Sequence, residues 1–505
     1  MPQSKLLQRQ HQDNDNNNRR DTKRPRRENN GGNAAAADED DSTPKTGREY
    51  QLLPDDVLEK IFSFLPIKQA ARNAVVSKSL AKAWVLSRDF TFDREVARRI
   101  RTRSELVNTV NGVFEAHKGP EIKTFRLYFN HPHVDHQVQR WLETVIAKGV
   151  EALDLDFDLA VGQFDYPLEF LGVQTLRTLR LINCHIDNPP RGCKTPMYLK
   201  TVVLKKVSMS QWVVSTLIRQ CPGLESLSVT QCHVFGIRIY ASELKNFREL
   251  RIGGCPGLSL VHVDAPSLVS FHYQGQCRTL SLDQSVSKLD DVILNFTPSK
   301  TFKQCYTDIE RIANHHLRNV TVLSTTSTLL EGLPGYEVGI ARRFLRNPWT
   351  ELKELQLSME TNTFCNLADV ASFLASCTNL EKLFIDLNNY NFESGMYWEL
   401  HQKQNFDIFE TIFFRLKFVK ISGYRFLKHE VELARFLLQR SLKLEELVLL
   451  FPKGTGNAEV SLEHAYMCCC HFLACRLSRN ATITVLDHYH DESCEPKHSK
   501  INWYK

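Results

Sequence analysis

Apolar residues in this chain fall into a short phrase that repeats. From about residue 150 onward the spacing Leu-x-x-Leu-x-Leu recurs as Val150, Leu153, Leu155; Leu176, Leu179, Leu181; Leu199, Val202, Leu204; Leu224, Leu227, Val229; and Phe247, Leu250, Ile252. Later copies are Leu268, Phe271, Tyr273; Leu289, Val292, Leu294; Leu317, Val320, Val322; Leu352, Leu355, Leu357; Leu380, Leu383, Ile385; Leu416, Val419, Ile421; and Leu444, Leu447, Leu449. The last two apolar positions of each copy flank a single residue, which is the period of a strand with one face buried. Copies lie about 21 to 26 residues apart early in the chain and stretch to about 36 later, the range of stacked-repeat architectures. Each unit predicts one short parallel strand with a helix or loop as its return. One unit buries little by itself, whereas a stack buries a continuous column of Leu and Val.

A helical period precedes the repeats. In Leu52 to Pro66, Pro54, Asp55 and Asp56 stand where a helix starts, Val57, Leu58, Ile61, Phe62 and Leu65 follow at helical spacing, and Pro66 ends the run. A second short helix is predicted from Lys68 to Val75, and Ser77 is placed to cap a third through Leu80 to Trp84. Three helices in fewer than 50 residues enclose little apolar surface, so part of it must be covered by a partner or by the next domain. Leu106 to Phe114 and Val138 to Ile146 read as amphipathic helices. Near the C-terminus, Arg415 to Tyr424, Glu430 to Gln439 and Leu444 to Leu449 read as strand, helix, strand.

Composition narrows the class. The 505 residues are 42% hydrophobic and 24% charged, ordinary for a folded protein. A net charge of +6 is too mild for a dedicated nucleic-acid domain, and nucleic acid is not an expected partner. Residues 1 to about 48 are polar and low in complexity, with the acidic run Asp38 to Asp41, and are expected to be disordered. Within them Lys23, Arg24, Pro25, Arg26 and Arg27 form a cluster that an acidic nuclear-import groove can read, set against a plain solvated charge run. The chain opens Met1-Pro2-Gln3-Ser4-Lys5 without an apolar signal segment and has no run of about 18 apolar residues, so a nuclear or cytoplasmic, non-membrane protein is expected. Its 14 cysteines are then thiols. Three of them, Cys184, Cys232 and Cys255, follow the strand phrase at a fixed offset, while Cys221 and Cys377 precede it, a phase that suits small buried side chains better than metal ligands.

Chemistry is sparse. Phosphate loops, zinc-protease helices, nucleophile elbows and kinase signatures do not occur. The cluster Cys468, Cys469, Cys470, His471 and Cys475 lies beside Tyr466, Met467, Phe472, Leu473 and Leu477, and reads as a helix packed on the last strands; consecutive cysteines on a helix point apart. His315 and His316 read as a turn or surface pair. No cysteine has surroundings that mark an activated thiolate, and neither a cofactor, a metal nor an enzyme activity is expected.

The segments Leu53 to Leu58, Ile61 to Pro66, Ala70 to Val76, Ser77-Lys78 and Trp84 resemble the F-box, the module through which ubiquitin-ligase receptors hold a Skp-type adaptor. Plant F-boxes of this kind commonly carry Arg-Trp after Ser-Lys, where Ser79-Leu80 stands here. Together with the cysteine-containing repeats and the 415–449 segment, the chain resembles the plant-type F-box, leucine-rich-repeat and FBD proteins. That resemblance implies an α/β fold: a three-helix F-box, then a leucine-rich-repeat solenoid with a curved parallel sheet. The boundaries read as a tail at 1–48, F-box at 49–95, linker helices and first repeats at 96–149, repeats at 150–410, an FBD-like cap at 411–490 and a C-terminal tail at 491–505.

The resemblance also implies a non-catalytic receptor of a cullin-based (SCF-type) ubiquitin ligase, with a Skp-type adaptor and, through it, cullin as partners, and a target protein on the repeats. Leu53, Pro54, Val57, Leu58, Ile61, Leu65, Pro66, Val76 and Trp84 are the expected F-box residues, either packing it or inserting into the adaptor; sequence does not separate the two. Alternation along the strands exposes their middle residues, making Asp154, Arg180, Ser228, Arg251 and His272 the expected target-facing positions. The competing reading is a repeat scaffold, or nuclear protein-binding module, without a ligase role.

Overall fold

The computed structural model describes residues 53–63, 65, 67–100, 102–187, 197–297, 306–331, 333, 349–360, 365, 367–390, 411–452 and 462–499. The tail with its basic cluster Lys23 to Arg27, and Pro66, lie outside these residues.

Three short helices come first: α1 (Asp55–Ser63), α2 (Ile67–Ala74) and α3 (Lys78–Val85). Pro54 gives up no donor at the start of α1, and its carbonyl accepts from the amides of Val57 and Leu58, both at 3.0 Å. Ser77 caps α3 by accepting from the Leu80 amide at 3.2 Å.

Among the described residues, fifteen strands then form one all-parallel sheet. In chain order they are β1 (Asp89–Phe92), β2 (Thr124–Tyr128), β3 (Ala152–Asp156), β5 (Thr178–Ile182), β7 (Thr201–Lys205), β9 (Ser226–Thr230), β11 (Glu249–Gly253) and β13 (Ser270–Gly275). The sheet continues through β15 (Asp291–Phe296), β16 (Val322–Thr326), β17 (Glu354–Ser358), β18 (Lys382–Asp386), β19 (Phe418–Ser422), β20 (Glu446–Leu450) and β21 (Thr482–Leu486). Each strand pairs with the next of its repeat without a register shift, so that Leu153, Leu179, Val202, Leu227, Leu250, Phe271 and Val292 form one buried row. Such a row is what stacked units need to share one core.

The return segments differ from repeat to repeat. Helices α4 (Arg94–Arg99), α5 (Arg103–Ala116) and α6 (Asp135–Ala147) serve the first turns, with Leu106, Val110, Val113, Val138, Trp141 and Leu142 buried as their periodicity predicts. Helices α7 (Gln211–Gln220), α8 (Tyr306–His315), α9 (Ser327–Glu331), α10 (Leu367–Ala375), α11 (Lys428–Arg440) and α12 (Leu462–Cys475) follow. Elsewhere the return is itself a strand. Two small parallel sheets, β4 (Phe164–Asp165), β6 (Cys184–Ile186), β8 (Ser208–Met209) and β10 (Gly236–Tyr240), β12 (Leu260–Asp264), β14 (Leu280–Leu282), stack along these returns, and the return after β7 carries both β8 and α7.

Three sequence expectations change. The sheet begins at Asp89, inside the span expected for the F-box, because Phe90 and Phe92 already pair with Phe125 and Leu127. The phrase Leu317, Val320, Val322 is out of phase: Leu323 and Thr325 are the inward pair of β16, aligned with Leu355 and Leu357. The Thr325 hydroxyl donates to the Leu294 carbonyl at 2.9 Å, so a polar residue sits inward and hides the pattern. Helix α12 buries Phe472 but leaves Tyr466, Met467 and Leu473 exposed, as is Leu477 just past its end, so only one edge of it packs.

The phased cysteines are structural. Cys184, Cys221, Cys232 and Cys377 are buried, and burial pushes the thiols of Cys184, Cys221 and Cys377 up. Cys232 donates to the Leu204 carbonyl of the preceding repeat at 3.4 Å. Cys221 and Cys377 close the turn into the next strand, their carbonyls accepting from the Leu224 and Leu380 amides.

Candidate functional site

Two surfaces carry the expected residues. The first is the three-helix module. Its core consists of Leu58, Phe62, Ala70 and Ala83, with Leu65, Leu80 and Trp84 packed against it. Leu80 therefore supplies an apolar group to that core. Trp84 also touches the main core of the sheet, linking the two. The remaining apolar residues point outward: Leu53, Val57, Ile61 and Val76 are 49, 38, 40 and 76% exposed, Val75 is 87% exposed, and Pro54 is exposed with them. Val57 and Ile61 are one turn apart and share a face of α1, while Leu58 and Phe62 occupy the next face round. The structure divides these residues by position: Leu58, Leu65 and Trp84 pack in the module, and Leu53, Pro54, Val57, Ile61 and Val76 lie on its surface. Val75 belongs with the second group, and its place beside Val76 past the end of α2 was the available signal.

This module is fastened to the sheet. The Lys118 amide donates to the Val85 carbonyl at 2.9 Å, and the Lys123 amide to the Arg88 carbonyl at 2.8 Å. His117 packs edge-on to Phe90 and takes Lys148 Nζ at 2.8 Å; burial and that neighbouring ammonium pull its imidazole down, so it acts as a neutral acceptor.

The second surface is the open face of the sheet, opposite the return segments. All five expected target-facing residues fall in one row of it, through the register Asp154, Arg180, Val203, Ser228, Arg251, His272. Arg180 donates to Asp154 at 2.9 Å, and Arg94 to Asp156 at 3.1 Å. Both acids are thereby matched by arginines from other repeats. With Arg126, Tyr128 and Lys205 these groups line an open cleft of about 610 Å³.

His272 departs from its neighbours. It is buried, not exposed, because another part of the chain lies over it: its ring meets that of His498 edge-on at 5.2 Å. Residues 491–498 cross the open face in order. Asp491 accepts from Lys420 of β19 at 2.5 Å, Cys494 Sγ lies 3.7 Å from Lys382 of β18, and Lys497 donates its amide to Glu354 of β17 at 2.7 Å. His498 then reaches Ser324 of β16 at 2.6 Å and Asp291 of β15 at 2.5 Å. Burial pushes the Asp291 carboxyl up, but the hydrogen bonds from His498 and Lys497 outweigh it and hold the group at about 2. Burial, with Arg251 alongside, pulls His272 down to about 3.

His272, Asp291 and His498 bring three atoms of metal-binding type within 4.8 Å of one another. Arg251 faces His272 Nδ1 at 3.3 Å and Lys497 holds the second oxygen of Asp291 at 3.0 Å, so two positive charges already satisfy the cluster. It is an ion-paired latch. The sequence reading missed this crossing, because contacts between residues 71 to 207 positions apart leave no period. One signal was present: Leu447-Val448-Leu449-Leu450 is an unbroken apolar run, the mark of a strand covered on both faces.

Comparison with known proteins agrees with this geometry. The family described as At1g61320/AtMIF1, LRR domain, matches residues 113–490, and the F-box domain matches residues 51–90. The chain belongs to the F-box and leucine-rich-repeat proteins with an FBD-type C-terminal region. Among its relatives, the FBD-associated F-box protein At1g61320 of Arabidopsis thaliana is 32% identical over 425 residues, covering 82% of this chain and 92% of the relative. The F-box/FBD/LRR-repeat protein At1g13570 of the same plant is 25% identical over 427 residues, covering 81% and 92%. A solved complex of Rad7 and Elc1 from yeast aligns with 81% of this chain and 92% of the solved one at 12% identity, with a TM-score of 0.31.

Proposed function

We propose that this chain is the target-recognition subunit of a cullin-based ubiquitin ligase, without catalytic chemistry of its own. The observation that carries the reading is the outward apolar set Leu53, Val57, Ile61, Val75 and Val76 on a module whose core is complete without them. Val75 and Val76 stand mostly in water and Leu53, Val57 and Ile61 partly, a grouping that suits a covering partner, and a Skp-type adaptor is the partner an F-box fits. Covering what remains exposed of Val57 or Ile61 gains roughly 1 kcal/mol each, so a stable contact requires the adaptor to cover the whole set.

The role requires no reacting group. A receptor held at a fixed angle to its adaptor raises the effective concentration of a target lysine at the conjugating enzyme. The junction at Val85, Arg88 and His117 supplies that fixed angle within this chain. The open face between β2 and β11 is the surface proposed for the target. The nucleus or the cytoplasm is the proposed site of action, with the basic cluster Lys23 to Arg27 as the proposed import signal.

Co-expression with a Skp-type adaptor and the N-terminal half of a cullin tests this. A single peak containing all three chains on size exclusion is expected. Elution of this chain alone, folded and at micromolar concentration, would leave a repeat scaffold without a ligase role.

A further inference from the structure

The open face changes character along its length. From β2 to β11 its middle row is Arg126, Asp154, Arg180, Val203, Ser228 and Arg251, all at least partly exposed. From β15 to β20 it includes Ile293, Phe384, Lys420 and Val448, each under 10% exposed. Phe384, Phe418, Val448 and Leu450 form an apolar cluster of their own, separate from the main core, with Leu486 against it. A solvent-facing row has no reason to carry these side chains unless something covers it.

Part of the cover is chain-borne: Leu486 packs on that cluster, and residues 491–498 lie over the neighbouring strands. Residues 491–498 run from β19 to β15, four strand spacings or about 19 Å, while seven extended residues reach about 23 Å. The segment crosses without helix or strand and ends in a turn, the Ser499 amide donating to the Pro496 carbonyl at 3.0 Å. Lys420 is only 6% exposed and its ammonium meets Asp491. A buried cation needs an acid, so whatever lies here must bring one. At the other end Asp291 takes the Lys497 ammonium and a ring nitrogen of His498. Between them Lys420 donates to the Cys494 carbonyl at 3.5 Å and Glu354 accepts the Lys497 amide, contacts to main chain that any sequence makes.

We propose that the open face from β13 to β19 is a peptide-docking surface, and that residues 491–498 are its built-in occupant. The partner it fits is an extended protein segment with the same charge order: an acidic side chain for Lys420, and a basic one six or seven residues later for Asp291. This rests on the reading of the repeats as a target receptor, and names which part of them takes the target and what the target presents. The tethered segment competes at an effective concentration on the millimolar scale, so a partner displaces it only by binding well or by arriving with a second contact in the open cleft.

The test uses the whole chain and a fluorescent peptide of residues 487–499 as probe. A release variant, Asp491→Lys with Lys497→Glu and His498→Ala, frees the surface. The peptide is expected to bind it at least tenfold more tightly than the parent, and Lys420→Glu added to that variant is expected to abolish binding. Equal binding by parent and release variant, indifference to Lys420→Glu, or no binding by a release variant with the parental melting curve would each overturn the proposal. If the release variant melts early, Lys420→Glu alone replaces it and is expected to bind the Asp491→Lys peptide at least tenfold better than the natural one; no preference overturns the proposal equally. Adaptor binding is measured on the same proteins. Its retention alongside failed peptide binding sinks this inference alone, and its loss in the parent sinks the ligase reading.

Discussion

Val57 and Leu58 are adjacent in the chain and lie on different faces of one helix: Leu58 is 6% exposed in the module core, Val57 is 38% exposed on its surface. A charge at the two positions therefore has opposite meanings. Leu58→Asp buries an unpaired carboxylate, costs several kcal/mol and is expected to melt the module. Val57→Asp and Ile61→Asp place the same group in water and are expected to leave the melting temperature within about 2 °C of the parent. Thermal melts followed by circular dichroism separate the two.

Glu430 gives the C-terminal cap a pH dependence. The carboxyl is fully buried where α11 starts; one oxygen accepts from the Arg425 and Leu427 amides, at 2.6 and 3.2 Å, and the other has no hydrogen-bond partner. Burial pushes it from its ordinary 4.5 up to about 7 against those two bonds. An acid raised on folding holds its proton more tightly in the folded chain. Its favourable contribution is complete below about pH 4.5 and is lost as pH rises toward 7. The loss has a ceiling of about 3 kcal/mol. Glu430→Gln is expected to flatten the fall between pH 5 and 7.5 and to raise the melting temperature at pH 8. Parallel slopes for parent and variant would contradict this.

Gly423 is required by its backbone. It has φ +77°, and a Cβ there would stand 2.5 Å from the Asn388 nitrogen and 2.8 Å from its Cα. Neither the left-handed conformation nor a clash with main chain is relieved by moving a side chain. Gly423→Ala is expected to destabilise by about 2 to 4 kcal/mol, read from urea midpoints at unchanged m.

Thiol reactivity should sort by repeat phase. Cys470 and Cys494 are exposed, while Cys184, Cys221, Cys232 and Cys377 are buried. Iodoacetamide on the native protein is expected to label the first two within minutes and the other four only on unfolding, as resolved by peptide mass spectrometry. Fast labelling of Cys232 or Cys377 would show that the repeats open locally.

Much of the fold was legible because its signal is local. Leu153 and Leu155, or Leu383 and Ile385, announce a strand by alternation, and each strand's partner follows from the next copy. The phase failed only where Thr325 took an inward place and satisfied its hydroxyl on the neighbouring strand. In the F-box, spacing revealed the helices but not their faces, since Val57, Leu58, Ile61 and Phe62 make one broad stripe and only packing divides it. Asp154, Arg180, Ser228 and Arg251 were placed on the open face by alternation alone. The crossing segment was not legible: Asp491 with Lys420 and His498 with Asp291 are pairings of distant polar residues, which the chain encodes without any repeat.

The central claim is that an outward apolar face of the F-box holds a Skp-type adaptor. Calorimetric titration of the whole chain with purified adaptor tests it most directly, beside a Val57→Asp, Ile61→Asp variant of parental melting temperature. Tight binding by the parent and a loss of at least a hundredfold in the variant, about 2.7 kcal/mol, is the predicted result. Equal affinity in both, or no heat from a folded parent, would contradict the account.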